Sequence, residues 1–519
     1  MFFKECWTTT IFLLIAITHL NTGHCMSDWE KSFSTSIAGM ENLLLMESTL
    51  IASVQQFTEE LELKVHRLKS LVSELRAENQ KGLDNPEEYL HNPLNGYALI
   101  RRMYYDWPNI ELFMTDPINS AHVGVIQQLR PQMPSWTDLT EAAEGIYRLQ
   151  ITYGLDPGDM VQGILNDKQY NVQMKTVDRY FMGYYLHGQA KYFHSAYWTY
   201  QAIMSHEDSE YNAIMDFGKE KVYALYGETL VKQNRTKDAL IAMQQAYNLK
   251  PTDALLMQRR NEIEFLANIT TNEVTEFLVP EADPYQLGCR GFYSNYISNL
   301  HCLYNRTASA FLQLAPLKME ILQLDPYMVL YHDIISEHEI EELKNMARPD
   351  LKRATVYSDD NKQPIVVRTR TAKSTGIDEE ISPTTQRLNQ RIMDMTGMDT
   401  NGSEALQIMN YGLGGHYDTH YDFFNVSSDL KVVKEGDRMA TVLIYLSDVE
   451  QGGATVFPNI PTAVFPKKGS ALVWYNLKND LEGNWLTLHA ACPVLIGSKW
   501  VANKWIRSKA QMFRRPCYK

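Results

Sequence analysis

Four short β-rich runs constrain the C-terminal part of this 519-residue chain more than any other feature: 405–411 (ALQIMNY), 441–446 (TVLIYL), 470–475 (SALVWY) and 500–506 (WVANKWI). Gly412, Gly414, Gly415, Gly452, Gly453, Pro458, Pro466, Gly469, Gly483 and Gly497 punctuate them. Branched and aromatic runs cut at such intervals read as strands joined by turns. That texture suits a small antiparallel barrel or jelly roll with a ligand-lined mouth.

Between the first two runs lies HYDTHYD (416–422), which holds two overlapping His-x-Asp pairs, His416/Asp418 and His420/Asp422. On extended backbone, residues two apart share a face, so either pair could present an imidazole and a carboxylate together. Two such ligands and one distant histidine make the facial triad that leaves positions open on a ferrous ion. After Asp422 the chain offers one more histidine, His489. A His-x-Asp pair alone is a weak signal, common in polar loops, and spacing does not choose between the two pairs.

The longer motifs add what the pair lacks. NYGLGGHYDTHYDF (410–423), RMATVLIYLSDVEQGGATVFP (438–458), FPKKGSALVWYNL (465–477), HAACPVLIGSKWVANKWI (489–506) and FRRPC (513–517) resemble the catalytic domain of collagen prolyl 4-hydroxylase α subunits. The resemblance implies a double-stranded β-helix (jelly-roll) dioxygenase. It would use Fe2+, 2-oxoglutarate and L-ascorbate, hydroxylate proline in X-Pro-Gly-type peptides, and release succinate and carbon dioxide. In that family the ligand histidine follows a tyrosine by nine residues and precedes an aromatic-Asp-aromatic triplet. Tyr411 and His420-Tyr421-Asp422-Phe423 fit. The implied metal ligands are therefore His420, Asp422 and His489, with His416 a polar residue at the rim.

The resemblance further implies that Lys499 binds the distal carboxylate of 2-oxoglutarate. A buried carboxylate needs a charge partner, and lysine supplies a compact one. Thr441 and Tyr411 match positions whose hydroxyls assist at the same carboxylate. Trp505 and Tyr417 match aromatic pocket positions, for which packing alone is an equal reading. One departure stands out. The vertebrate relatives carry a histidine after their NKW run that assists cosubstrate use, and here the matching residue is Arg507, always charged.

The N-terminus reads as a secretory signal: Lys4, a short apolar run over 11–17, then Gly23-His24-Cys25. The apolar run is too short to span a bilayer, and no later segment has the length. Removal near Cys25 leaves Cys289, Cys302, Cys492 and Cys517, an even number that favours disulfides. Proximity and the resemblance both favour 289–302 and 492–517. Five sequons, at Asn234, Asn268, Asn305, Asn401 and Asn425, agree with passage through the endoplasmic reticulum. The chain ends Pro516-Cys517-Tyr518-Lys519, without a retention tetrapeptide, so retention in the lumen would come from a partner. The resemblance implies protein disulfide isomerase as that partner, the β subunit of an α2β2 assembly.

Residues 37–75 carry a heptad of Ile37, Met40, Leu44, Ile51, Val54, Leu61, Val65, Leu68, Val72 and Leu75. A coiled-coil arm, which the family uses for self-association of α subunits, competes with a helix buried in a bundle. Further on, Gly183, Ser195 and Ala202 recur 44 residues later as Gly227, Ala239 and Ala246. Small residues at that spacing suit tetratricopeptide (TPR) helix pairs. In the family such a module binds a proline-rich, collagen-like peptide, whose polyproline II helix stacks on tyrosines. Tyr180, Tyr184, Tyr185, Tyr192, Phe193, Tyr197 and Trp198 could supply that face, though much of the cluster must be core. Leu225 and Glu228 stand where vertebrate relatives place groove tyrosines.

The expected organisation is multidomain. It runs from a signal (1–25) through an N-terminal helical coiled-coil dimerisation domain (26–115) and a helical linker region (116–172) to a TPR-like peptide-binding domain (173–268). A disulfide-containing linker (269–325) then leads to the catalytic jelly roll (326–519). A net charge of −13 argues against nucleic acid as a partner. His338-Glu339 fails as a zincin motif because position 342 is glutamate. Two other functions compete: a prolyl hydroxylase acting on a non-collagen secreted protein, and a catalytically weak binding or assembly relative. Iron-dependent 2-oxoglutarate turnover separates the last from the others.

Overall fold

The structure is a computed structural model that describes residues 37–115, 136–270, 281–293, 302–357, 364–365, 368–424, 430–512 and 514. The expected signal segment, Cys517 and Asn425 lie outside the described residues. The chain divides into two compact units, residues 1–73 and 74–519. What is described of the first is one helix, α1 (Ile37–Asp84), which continues into the second. Along it Leu61 and Leu68 are half-buried, while Val65 and Val72 of the same seam are exposed. Leu71, which is off the seam, is the buried residue of this stretch. No helix among the described residues is long and apolar enough to cross a membrane.

The second unit opens with helices. After α2 (Pro93–Arg101) and α3 (Trp136–Tyr153) come two antiparallel hairpins, α4 (Thr176–Gly188) with α5 (Tyr192–Ser205) and α6 (Lys219–Lys232) with α7 (Thr236–Leu249). Helix α8 (Ala254–Ile269) follows. The recurring small residues sit at the helix crossings: a Cβ on Gly183 would lie 2.3 Å from Thr199 Oγ1, and one on Gly227 3.2 Å from the Ala239 carbonyl. Ser195, Ala202, Ala239 and Ala246 are wholly buried. Both hairpin turns pass through a left-handed residue at the same offset, Ala190 (φ 57°) and Asn234 (φ 60°). A buried ion cluster, Arg101 with Asp106 and Asp178, joins α2 to the start of α4. Of the aromatic cluster, Tyr185 and Trp198 are core, whereas Tyr184 is exposed and stacks on Tyr180 at 6.3 Å. Leu225 is buried and Glu228 is held by Arg259 of α8, so neither offers a ring to a groove.

The remainder is β-rich. Its main strands are β1 (Cys302–Asn305), β2 (Leu317–Leu324), β3 (Tyr327–His332), β4 (Lys352–Arg353), β5 (Lys373–Ile377), β6 (Leu406–Tyr411) and β7 (Tyr417–His420). They continue as β8 (Arg438–Tyr445), β9 (Thr455–Phe457), β10 (Thr462–Val464), β11 (Ala471–Tyr475), β12 (His489–Ala491) and β13 (Lys499–Arg507). Among the described residues these form a nine-stranded sheet, β1-β2-β3-β11-β8-β13-β6-β5-β4, and a four-stranded one, β7-β12-β9-β10. Strands β8 and β13 are buried along their whole length, because both faces of the sheet are covered. Helices α10 (Glu337–Ala347) and α11 (Pro383–Thr396) cover the outer face with Ile340, Leu343, Leu388 and Ile392. The inner face packs Met328, Leu443, Leu472 and Trp474 towards the smaller sheet. Glu339, rejected as part of a zincin, closes the capping box of α10 with Ser336.

Three expectations need correction. Residues 302–324 are not linker: β1 and β2 belong to the large sheet. Nor is 136–153 a linker, since α3 packs on the catalytic region through contacts described below. The disulfide joins Cys289 to Cys492 and not to Cys302. Helix α9 (Pro284–Cys289) lies in a small core with Ala454, Val456 and Ala490, which brings its cysteine to a Cα separation of 5.6 Å from Cys492. Cys302 is free and exposed on the edge strand.

The sequons also separate. Asn234, Asn268 and Asn401 are exposed, but Asn305 is 7% exposed and its Nδ2 donates to Tyr331 Oη (2.8 Å) and the Met395 carbonyl (3.2 Å). A glycan on that nitrogen is incompatible with the fold. Mass spectrometry of the protein expressed through a glycosylating secretory pathway should find Asn305 unmodified. Asn305→Ala should cost about 1–3 kcal/mol of stability by removing these bonds and leaving the Thr307 and Ala308 N–H groups without their Oδ1 acceptor, read from denaturant midpoints.

Candidate metal centre

The two ligand-bearing segments meet because β7 pairs antiparallel with β12, with His420 opposite His489. The register slips between Tyr417 and His420, a bulge that re-aims the side chains beyond it. As a result the Tyr417 and His420 rings stack at 3.6 Å although they are three residues apart. Asp422 follows just after the strand and is 4% exposed.

His420, Asp422 and His489 converge: one ligand atom from each lies within 4.8 Å of the others. His420 Nε2 is 3.6 Å from Asp422 Oδ1, and His489 Nε2 is 3.7 Å from Asp422 Oδ2. Each histidine is fixed by its other nitrogen, His420 Nδ1 at 2.8 Å from the Asp418 carbonyl and His489 Nδ1 at 2.9 Å from the Thr487 carbonyl. A carbonyl accepts only, so both rings carry their proton on Nδ1 and turn the Nε2 lone pair inwards. Such outer bonds set ring direction and tautomer at metal sites. Burial, then the neighbouring His420, pushes the His489 imidazole down to about 4. Burial works against the Asp422 carboxylate, yet His489, His420 and Arg438 hold it well below the usual carboxylate range. Two imidazoles and one carboxylate on one side of a cavity fit a divalent iron with open positions.

The other His-x-Asp pair serves a different purpose. His416 is buried, with Nδ1 2.7 Å from Thr371 Oγ1 and Nε2 3.0 Å from Asp418. It clips the loop before β7 to the segment at Thr371 and does not join the cluster. The expectation of a rim position is corrected to that of a buried clip.

The cavity beside the triad is lined by Tyr411, Tyr417, Trp474, Lys499, Asn503 and Trp505, among others. Lys499 is 1% exposed and donates to the Gly453 carbonyl at 2.7 Å. Burial pushes its ammonium down to about 7, with no neighbouring charge opposing the shift. Tyr411 lies under it, ring centroid 5.2 Å from Nζ. A buried cation facing a cavity without a carboxylate partner fits the distal carboxylate of a dicarboxylic acid. Phe457 and Trp474 pack around His489 at 5.5 and 4.9 Å and make that wall dry.

Thr441 differs from expectation. Its hydroxyl donates to Asp422 Oδ2 (2.7 Å) and accepts from Asn476 Nδ2 (2.8 Å), so it orients the triad's carboxylate and does not face Lys499. The reason is register: Thr441 lies opposite Trp505 on β13, whereas Lys499 lies opposite Tyr411.

Arg507 also finds a definite place. Its Nη2 donates to Glu404 Oε1 (2.6 Å), and Arg438 grips the same carboxylate at 2.6 and 2.7 Å. Burial would raise the Glu404 carboxyl, but Arg438 and Arg507 together hold it below its ordinary value. Arg438 in turn lies 3.5 Å over the Trp505 ring and donates to the Asp422 carbonyl at 3.3 Å. Arg507 does not line the cavity. Removing one partner of a buried ion cluster costs about 3 kcal/mol or more. Arg507→Ala should therefore lower the melting temperature and leave the KM for 2-oxoglutarate unchanged; a raised KM at constant stability would show that it acts on the cosubstrate.

Arg370 escaped the sequence reading. It is buried on the cavity wall 4.8 Å over the Tyr417 ring, and donates to the Thr355 carbonyl, Gln407 and Met409 Sδ. No motif flagged it, because β-bridge pairing with Tyr417 brings it in from a distant segment.

These features define the class. Residues 406–507 match the 2OG-Fe(II) oxygenase superfamily, and residues 36–167 match the N-terminal region of the prolyl 4-hydroxylase α subunit. The chain is 34% identical over 511 residues to prolyl 4-hydroxylase subunit alpha-2 of Gallus gallus, covering 94% of this chain and 95% of that one. It is 34% identical to the alpha-2 subunit of Caenorhabditis elegans (93% of each chain) and 32% identical to the alpha-1 subunit of Homo sapiens (93% and 95%). The chain belongs to the prolyl 4-hydroxylase α-subunit family.

Proposed function

We propose that this chain is the catalytic α subunit of a prolyl 4-hydroxylase acting on X-Pro-Gly-type, collagen-like peptides. The convergence of two Nδ1-anchored imidazoles and Asp422 on one point carries this reading. His420, Asp422 and His489 hold iron on one face, and Lys499 binds the distal carboxylate of 2-oxoglutarate with Tyr411 beneath it. Bound iron with 2-oxoglutarate supplies the oxidising chemistry, consuming dioxygen and releasing succinate and carbon dioxide. Thr441 and Asn476 keep the Asp422 carboxylate in register. Tyr417, Trp474 and Trp505 exclude water, which strengthens each electrostatic contact. L-Ascorbate is the reductant inferred from the family resemblance.

On the same basis we read the two β-sheets as a double-stranded β-helix and α4–α8 as a TPR-like peptide module. Residues 37–75 are a coiled-coil arm for self-association, with Val65 and Val72 of its seam exposed for pairing with a second α1. The family resemblance supports protein disulfide isomerase as β subunit of an α2β2 assembly and the endoplasmic reticulum lumen as its location.

The test is succinate release by the chain co-expressed with protein disulfide isomerase, with and without a (Pro-Pro-Gly)n peptide, and with His420→Ala as blank. Peptide-stimulated succinate with hydroxyproline formed is the expected result. Succinate released with no hydroxyproline in the peptide would redirect the reading to another secreted substrate. An iron-loaded, folded assembly with no turnover would leave a binding or assembly role.

A further inference from the structure

We propose that helix α3 is a positioning element that locks the helical repeat and the candidate metal centre into one frame, so that a long peptide held by the repeat reaches the site in register. The proposal rests on the peptide-binding reading of α4–α8 given above.

One side of α3 meets the segments that carry the site. It crosses the loop before β7 so closely that a Cβ on Gly145 would lie 2.6 Å from Leu413 Cδ2 and 3.0 Å from the Leu413 carbonyl. A Cβ on Gly414 would lie 2.7 Å from the Gly145 carbonyl. Arg148 Nη1 donates to the Gly414 carbonyl at 2.8 Å, six residues before His420. At the end of the helix, Tyr153 Oη donates to the Pro493 carbonyl at 2.5 Å, four residues after His489. The other side of α3 holds the repeat. Glu144 accepts from Tyr185 Oη, and Gln150 Oε1 accepts from Trp198 Nε1 at 2.9 Å, both partners being core residues of the first hairpin.

A second grip lies nearby. Lys168 Nζ and Tyr170 Oη both reach Glu450 Oε1, at 2.5 and 2.7 Å, and Gln451 Nε2 donates to Tyr170 Oη at 2.7 Å. This is the turn whose Gly453 carbonyl holds Lys499. Each connection that sets His420, His489 and Lys499 is thus touched from the helical side. A hinged module would leave these loops facing solvent; here a glycine–glycine crossing and a charge-assisted hydrogen bond remove the freedom to swing.

An ordinary interface and a positioning element predict different losses. Weakening an ordinary interface lowers stability and leaves the preference between peptide lengths alone. Weakening a positioning element raises KM for peptides long enough to span repeat and site, without moving KM for short ones. The experiment measures KM and kcat for short and long (Pro-Pro-Gly)n peptides in the assembled enzyme, for wild type, Arg148→Met and Gly145→Ala. Melting temperature and iron binding are followed in parallel, and Arg148→Met keeps the test open if Gly145→Ala fails to fold. The expected result is that the long-peptide advantage in KM falls on the order of tenfold, with the short-peptide KM and iron affinity unchanged. A lowered melting temperature with the long-peptide advantage intact overturns the positioning role alone. A wild type without any long-peptide advantage overturns the peptide-module reading and this proposal with it.

Discussion

Alanine in place of His489 is expected to end peptide-stimulated succinate release and to lower iron affinity by more than about a hundredfold. Loss of a partner outside the ligand set costs about 10–100-fold at metal sites, and His489 supplies one of the three inward-facing atoms. Among the described residues no further group joins the cluster, and the non-ligand imidazole of the 416–422 segment, His416, is engaged by Thr371 and Asp418. His416→Ala is the control and should retain iron, with stability lowered by the loss of the clip. Competition against a chelator reads both. Iron lost from His416→Ala and kept by His489→Ala would invert the assignment of the two His-x-Asp pairs.

Alanine at Lys499 should raise the KM for 2-oxoglutarate steeply. Removing one member of a buried, hydrogen-bonded charge pair costs about 3–5 kcal/mol, on the order of a hundred- to several thousandfold. Without cosubstrate the sign reverses, because the lone buried ammonium is a burden on the fold. Burial moves it from 10.5 down to about 7. Below about 7 it is protonated in both folded and unfolded chains, and the cost of burying the charge is present in full. Between about 7 and 10.5 only the unfolded chain keeps the proton, so the unfolded state binds more protons and stability rises with pH, by about 1.4 kcal/mol per pH unit for this group. Lys499→Met should therefore be more stable than wild type below pH 7, with the gap closing as the pH climbs through that window. Added 2-oxoglutarate should stabilise wild type and leave the methionine variant unmoved. Denaturation with pH and ligand varied checks all three. A gap that widens with pH would exclude a depressed lysine.

The four β-rich runs lie within or largely coincide with β6, β8, β11 and β13, because long branched stretches suit a sheet covered on both faces. The strands of the smaller sheet were not legible. β9, β10 and β12 are three residues each, too short to show a period. β1 and β2 carry no clear strand signal because β1 is the edge strand and both are only half buried, which leaves their pattern half polar. The helical repeat was visible in its glycines and alanines, since close helix crossings permit no larger side chain. The disulfide differs from expectation because proximity in sequence favours Cys302, while the packing of α9 against β9 brings Cys289 to Cys492.

What the sequence determined by itself was the chemistry available: imidazoles, carboxylates and one lysine in motifs specific enough to name the family. Such motifs are local, and their spacing survives without coordinates. Which atoms meet was decided by the tertiary structure. A bulge in β7 aims His420 at His489 and leaves His416 bound to Thr371. Strand register turns Thr441 towards Asp422 and Lys499 towards Tyr411. Pairing across the fold brings Arg370 to the cavity and clamps Arg507 on Glu404. Register, bulges and long-range pairing depend on the summed packing of distant segments, and no local pattern encodes that sum.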